Sequence, residues 1–214
     1  MAQAVVTSGE SSPVVAHEDA HQTNTGVSNN KLAMWVFLAS ESLFFGAFIA
    51  TYFLYRGRDA GFLKGPTPDD LLNIPFTSVT SFILLMSSLT MVLALSAIQR
   101  GELRRFQIWI MATALFGATF IGGQIFEFTE FTREGLNVST NLFGSSFFIL
   151  TGIHGTHVLI GIVWLVALWG LSMQSRISQG DSERVEIAGL YWHFVDVVWI
   201  VIFTVIYLMP QPNH

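Results

Sequence analysis

A chain of 214 residues has room for one ordinary domain, and this one is 51% apolar, 14% aromatic and only 12% charged. Soluble domains carry about 25% charged residues, so the deficit places the chain in the membrane class. The net charge of -5 comes from few charges, no basic patch points to nucleic acid, and the lack of cysteine excludes disulfides, thiol nucleophiles and thiolate metal sites.

Residues 1–31 read as a polar, flexible tail. The first 30 residues hold no Lys or Arg and no short apolar core, so no signal peptide is expected. His17 and His21 form at most a weak metal pair, and solvated tail histidines are the simpler reading.

From residue 32 to 208 the pattern predicts an all-α, polytopic transmembrane bundle. A crossing needs about 20 apolar residues. Five stretches qualify: 32–55, 76–98, 106–130, 143–171 and 188–208, with 209–214 as a short tail. Pro75 suits a first helical turn. The runs are too long for barrel strands and do not alternate. No internal repeat supports an inverted-repeat transporter.

Five spans put the tail, the 99–105 loop and the 172–187 loop on one side. That side holds six cations (Lys31, Arg100, Arg104, Arg105, Arg176, Arg184) against four on the other (Arg56, Arg58, Lys64, Arg133). Positive residues favour the cytoplasm, so the N-terminus is expected inside and the C-terminus outside. Trp35, Trp109 and Trp192 near helix starts fit an interfacial belt.

Ionisable groups at membrane depth each need a reason. Glu41 lies mid-span among Phe37, Leu38, Phe44 and Phe45, surroundings that favour the neutral form of an acid. It reads as a proton-active or lipid-facing acid, or equally as an acid hydrogen-bonded to a neighbouring helix. Ser42, Gly46 and Ala50, and again Ala114, Ala118 and Gly122, form small-residue stripes suited to close helix contact. Gln124, Glu127 and Glu130 recur every three residues near a helix end, where the two acids are expected to meet headgroups. His154 and His157, and then His193 and Asp196, recur at i, i+3. Two readings stand for them: a buried hydrogen-bonded network, or metal ligands. No phosphate loop, nucleophile elbow or Ser/His/Asp arrangement stands out, so no catalytic residue is assigned.

These same residues carry a resemblance. The run from Trp35 through Glu41 to Gly46 resembles a helix with an acid in an SE…FF context. Ser87-Ser88-Leu-Thr90-Met91 resembles an SSxTM segment, and Gln124 with Glu127 and Phe128 a GQxxEF element. His154-Gly155-Thr-His157-Val158 resembles HGxHV, and Tyr191 to Trp199 reads YWHFVDVVW. The five matches fall in order, one per helix, and resemble subunit III of the haem-copper terminal oxidases. The resemblance implies an accessory subunit of a bacterial inner-membrane respiratory oxidase, packed on subunit I, alongside subunit II and membrane lipids, with electron transport and proton translocation in the complex. It implies no cofactor in this chain, haem and copper in partner subunits, and bound phospholipid as a possibility. It matches Glu41 to the family's carbodiimide-reactive acid, and His154, His157, His193, Asp196, Gln124 and Glu127 to its polar network. Mitochondrial-type members have seven helices and the match begins at the third, so lipid residues of the first two are not carried over.

The wording of the first helix leans toward a cytochrome c oxidase, with a quinol oxidase or a nitric oxide reductase partner as alternatives. Outside the family, an independent metalloenzyme at His154, His157 and His193, or a proton-coupled carrier around Glu41, are the competing classes.

Overall fold

The computed structural model describes residue 26 and residues 28–55, 73–135, 138 and 142–209. His17, His21, Arg56, Arg58 and Lys64 lie outside the described residues. Among the described residues there are five helices long and apolar enough to cross a membrane, and no strand. They are α1 (Asn29–Tyr55), α2 (Ile74–Gln99), α3 (Leu103–Arg133), α4 (Leu142–Met173) and α5 (Ser182–Phe203), the last continued by a π-turn over Thr204–Leu208.

Local chemistry sets the ends. The Asn73 side chain accepts a hydrogen bond from the Phe76 amide at 3.2 Å, so α2 starts two residues before the expected position, with Pro75 in its first turn. It ends at Gly101, whose φ of 75° places it in the left-handed region. There the Glu102 amide reaches back to the Ala97 carbonyl and the Gly101 amide to Ile98, both at 2.9 Å, which satisfies two terminal carbonyls.

Helix α5 begins six residues before the expected 188, after a Ser178–Asp181 capping box. Hydropathy detects only apolar turns and passed over the polar turn that carries Glu183, Arg184 and Glu186. The earlier start puts Trp192 ten residues into the helix, about 15 Å along its axis. Trp192 is therefore not an interfacial anchor; it is 1% exposed.

The core lies where α2, α3, α4 and α5 meet, with the most extensive contact between α2 and α3. Helix α1 is peripheral and makes its main contacts with α4 and α5. Its N-terminal end is tied to α5 by Lys31 to Glu186 at 2.8 Å and by the Ser28 hydroxyl to Glu183. Large apolar side chains such as Val36, Leu43, Val79 and Val163 point outward, as a lipid-facing surface requires.

Of the expected small-residue stripes only Ala114 is buried in the core. Ser42 and Ala50 are exposed, and nothing lies within 4 Å of a Cβ placed at Gly46 or Gly122. The glycines that matter flank the Trp192 indole. A Cβ at Gly117 would stand 2.5 Å from its ring, and one at Gly161 2.8 Å. Several four-residue stripes can be drawn on any helix, and only the partner's largest side chain selects between them. Gly117→Ala or Gly161→Ala is expected to destabilise the bundle by about 1–3 kcal/mol through overpacking. Gly122→Ala should stay within about 0.5 kcal/mol of wild type. Thermal unfolding of the purified membrane assembly makes the comparison.

Candidate functional site

Glu41 stands twelve residues into the 27-residue α1, about 18 Å along it. Its carboxyl Oε2 lies 3.2 Å from His157 Nε2 on α4, and the two side chains keep 19% and 16% exposure. The Phe45 ring meets the imidazole edge-on at 5.1 Å. The Tyr191 hydroxyl of α5 donates to the His157 carbonyl at 2.9 Å, so three helices converge here.

Hydrogen-bond bookkeeping narrows how a proton can sit between the pair. His157 Nδ1 lies 2.9 Å from the Ile153 carbonyl, which can only accept, so Nδ1 carries a hydrogen. Nε2 then either accepts from a neutral Glu41 or donates to its carboxylate. Both arrangements hold one shared proton between the two groups. Without that proton, a lone pair would face a carboxylate.

A second acid is buried instead of meeting headgroups. Glu127 is 6% exposed; it accepts from the Thr77 hydroxyl of α2 and, at 3.2 Å, from Tyr207 in the π-turn. Glu130 is exposed and lies 4.0 Å from Arg133. Each three-residue step turns a helical side chain back by about 60°, so Glu130 stands about 120° from Gln124. Two such steps do not stay on one face, and the acids divide between core and surface.

The histidines on α4 diverge. His154 is fully buried, 4.9 Å from the Trp199 ring and 5.9 Å from Phe120. Its Nε2 donates to the Val195 carbonyl at 3.2 Å, and its Nδ1 has no partner among the described atoms. His193 Nδ1 is held by Ser88 Oγ at 2.6 Å. Asp196 is 3% exposed beside the Ser88 hydroxyl, and neither of its oxygens is bonded to His193. The Gln124 amide donates to the Thr151 carbonyl at 2.6 Å. Among the described residues no group of three or more His, Cys, Asp or Glu is placed to hold a metal.

Sequence reading noted Ser87, Ser88 and Thr90 only as a motif and gave the hydroxyls of α2 no role. Ser81 accepts from Trp199 Nε1 at 2.8 Å, Ser87 from Trp192 Nε1 at 2.9 Å, and Thr90 shares a hydrogen with Thr113 of α3 at 2.8 Å. A partial signal was present: Thr77, Ser81 and Ser88 return to one side of the helix, whereas Thr90 stands about 140° from Thr77 and meets a different neighbour.

Five membrane-crossing helices, joined through buried polar groups and carrying no three-residue ligand cluster among the described residues, define a polytopic helical membrane protein. A family profile described as cytochrome c oxidase subunit III matches residues 12–211, and the chain belongs to that family. It is 41% identical to the quinol oxidase subunit 3 of Bacillus spizizenii, over 88% of this chain and 91% of the relative. It is 38% identical to the cytochrome c oxidase subunit 3 of Alkalihalophilus pseudofirmus, over 85% and 87%. A probable quinol oxidase subunit 3 of Staphylococcus aureus is 35% identical over 89% of this chain and 96% of its own.

Glu41→Gln is expected to preserve the bond to His157, because an amide N–H can donate to a neutral Nε2. Glu41→Leu removes the bond, at a cost of about 0.6 kcal/mol and up to about 1.7 within a membrane bundle. Yield and thermal stability of the assembly compare the two variants. Equal losses in both would assign the ion pair instead of the neutral pair.

Proposed function

We propose that this chain is the non-catalytic third subunit of a bacterial respiratory haem-copper oxidase. It packs on subunit I, within reach of subunit II and surrounding lipids, and steadies proton uptake during the reduction of oxygen to water. Haem and copper belong to the partner subunits, and this chain holds neither. The observation that carries the reading is the family match over residues 12–211, which takes in all five helices. The divergence of His154 from His157 supports the absence of a ligand set in this chain. The relatives include both a quinol oxidase and a cytochrome c oxidase subunit, so choice of electron donor is assigned to the partners.

The N-terminus is assigned to the cytoplasm. The support is the short loop of Arg100, Arg104 and Arg105, at the same end as Lys31. Gln124, Glu127, His154, His193 and Asp196 are assigned a structural role, as polar groups that fix helix register. Glu41 with His157 is assigned the role of a proton-holding pair near the bilayer midplane.

Purification of the tagged chain from mild-detergent membranes, with a reduced-minus-oxidised spectrum and a metal count, tests the central reading. Haem bands and copper should accompany a larger subunit. A chain that purifies alone with its own stoichiometric metal would overturn the proposal. Glu41→Gln should abolish labelling of this chain by a hydrophobic carbodiimide; labelling that persists at full stoichiometry would remove Glu41 as the reactive acid.

A further inference from the structure

A recess between α1 and α5 opens onto one member of the polar network, His193. Its volume is about 380 Å3. On α5 it is lined by Leu190, His193, Phe194 and Val197, and on α1 by the residues that run from Trp35 to Ser42 at the same i, i+3, i+4, i+7 spacing. Two matching stripes therefore border one groove. The helices run the same way, because Lys31 and Glu186 tie their first turns together. A helix of 27 residues, such as α1, is about 40 Å long against a hydrocarbon core of about 30 Å, so about 5 Å at each end lies at headgroup level. Trp35 stands about 9 Å along α1, near that boundary, and His193 about 16 Å along α5, about 10 Å inside the hydrocarbon.

Hydrogen bonding selects the occupant. No Asp, Glu, Lys or Arg lines the recess, so nothing there calls for a charged ligand. The Ser42 hydroxyl is already spent on the Leu38 carbonyl at 2.8 Å. That leaves His193 as the polar lining group at depth. Its Nδ1 is held by Ser88 Oγ at 2.6 Å, and its Nε2 has no partner among the described residues. Hydrocarbon supplies no water to meet that nitrogen, so leaving it empty costs a hydrogen bond. A phospholipid carries its polar atoms at headgroup and ester level, above His193, and its acyl chains carry none. The occupant must dissolve in hydrocarbon and still present an oxygen at this depth. The Ser88 hydroxyl can donate to Nδ1 or accept from it, so Nε2 offers an N–H or a lone pair. Those two forms match a ring carbonyl and the hydroxyl of its reduced state. Trp35, 56% exposed, and Phe194 supply aromatic walls for a flat ring.

We infer that this recess binds the ring of a membrane isoprenoid quinone. His193 Nε2 bonds a ring oxygen, Ser88 fixes the imidazole behind it, and the ring packs against Trp35 and Phe194. The isoprenoid tail leaves over the lipid-facing side chains of the two helices. Binding involves no electron transfer in this chain. The site is made by two of the chain's own helices and does not depend on which electron donor the complex uses.

The test uses the intact membrane assembly in phosphatidylcholine nanodiscs, with an isoprenoid quinone that carries a photoactivatable azide on its ring. After illumination, labelled peptides are mapped by mass spectrometry. Label should fall on residues 35–42 and 190–197 of this chain. It should drop about fivefold in His193→Phe, which keeps a ring and removes one hydrogen bond. Ala39→Trp, which fills the recess and leaves His193 with Ser88, should lower it as well and decides the matter if the first variant fails to assemble. Val163→Trp, on a lipid-facing position of α4 outside the recess, should leave it unchanged. Unlabelled quinone in excess should compete, and diacylglycerol should not. Equal labelling in His193→Phe and wild type overturns the site. Competition by diacylglycerol overturns it too and makes the recess a general lipid groove, as does label confined to a larger subunit. Haem content of the same preparation reports oxidase membership separately, so the two readings fail independently.

Discussion

Along the antiparallel seam between α2 and α5, serine hydroxyls of one helix meet ring nitrogens of the other: Ser81 with Trp199, Ser87 with Trp192 and Ser88 with His193. In hydrocarbon no water competes for these groups, so each must find its partner inside the protein. The seam fixes rotation as well as register. Trp192 is turned inward, and its indole then needs glycine on both neighbouring helices, Gly117 on α3 and Gly161 on α4. Trp199 in turn forms one wall of the His154 pocket, with Phe120 behind it. Large side chains and hydroxyls on two helices thus dictate where the other core helices approach.

The two membrane-depth acids illustrate different solutions to the same constraint. Glu127 is enclosed by hydroxyl donors from α2 and the π-turn, partners that cannot take its proton at neutral pH. Glu41 faces an imidazole whose other nitrogen is already committed to a carbonyl, so the pair can share a proton, and it keeps some exposure at the edge of the bundle. The first arrangement is fitted to hold helices together. The second is fitted to hold a proton where α1, the least embedded helix, meets α4 and α5.

The loop end of the bundle shows how few charges a membrane protein spends at random. Glu102 is shared between Arg100 and Arg105, Glu186 holds Lys31, and Asp181 lies 3.4 Å from Arg184. The exposed pairs contribute little to stability individually. Arg104 and Arg176 at this end are exposed and have no carboxylate partner among the described residues.

Helix number and class were legible in the sequence because a crossing must be long and apolar whatever it packs against; the runs from Ala33 to Tyr55 and from Phe143 to Leu171 show this without any tertiary information. The family was legible because its motifs lie on the residues with internal partners. Which face of each helix turns inward was not legible. Gly46 and Gly122 look as suited to packing as Gly117 and Gly161, yet only the latter pair meets Trp192. Nor could spacing tell that His154 and His157 look to different neighbours, that Asp196 leaves His193 to Ser88, or that Glu127 is inside while Glu130 is out. Hydropathy measures transfer into lipid and varies little around α1, α2, α4 and α5, so there it carries little rotational information. Rotation is set by hydrogen bonds and van der Waals fit between helices distant in sequence, and only the assembled bundle decides it.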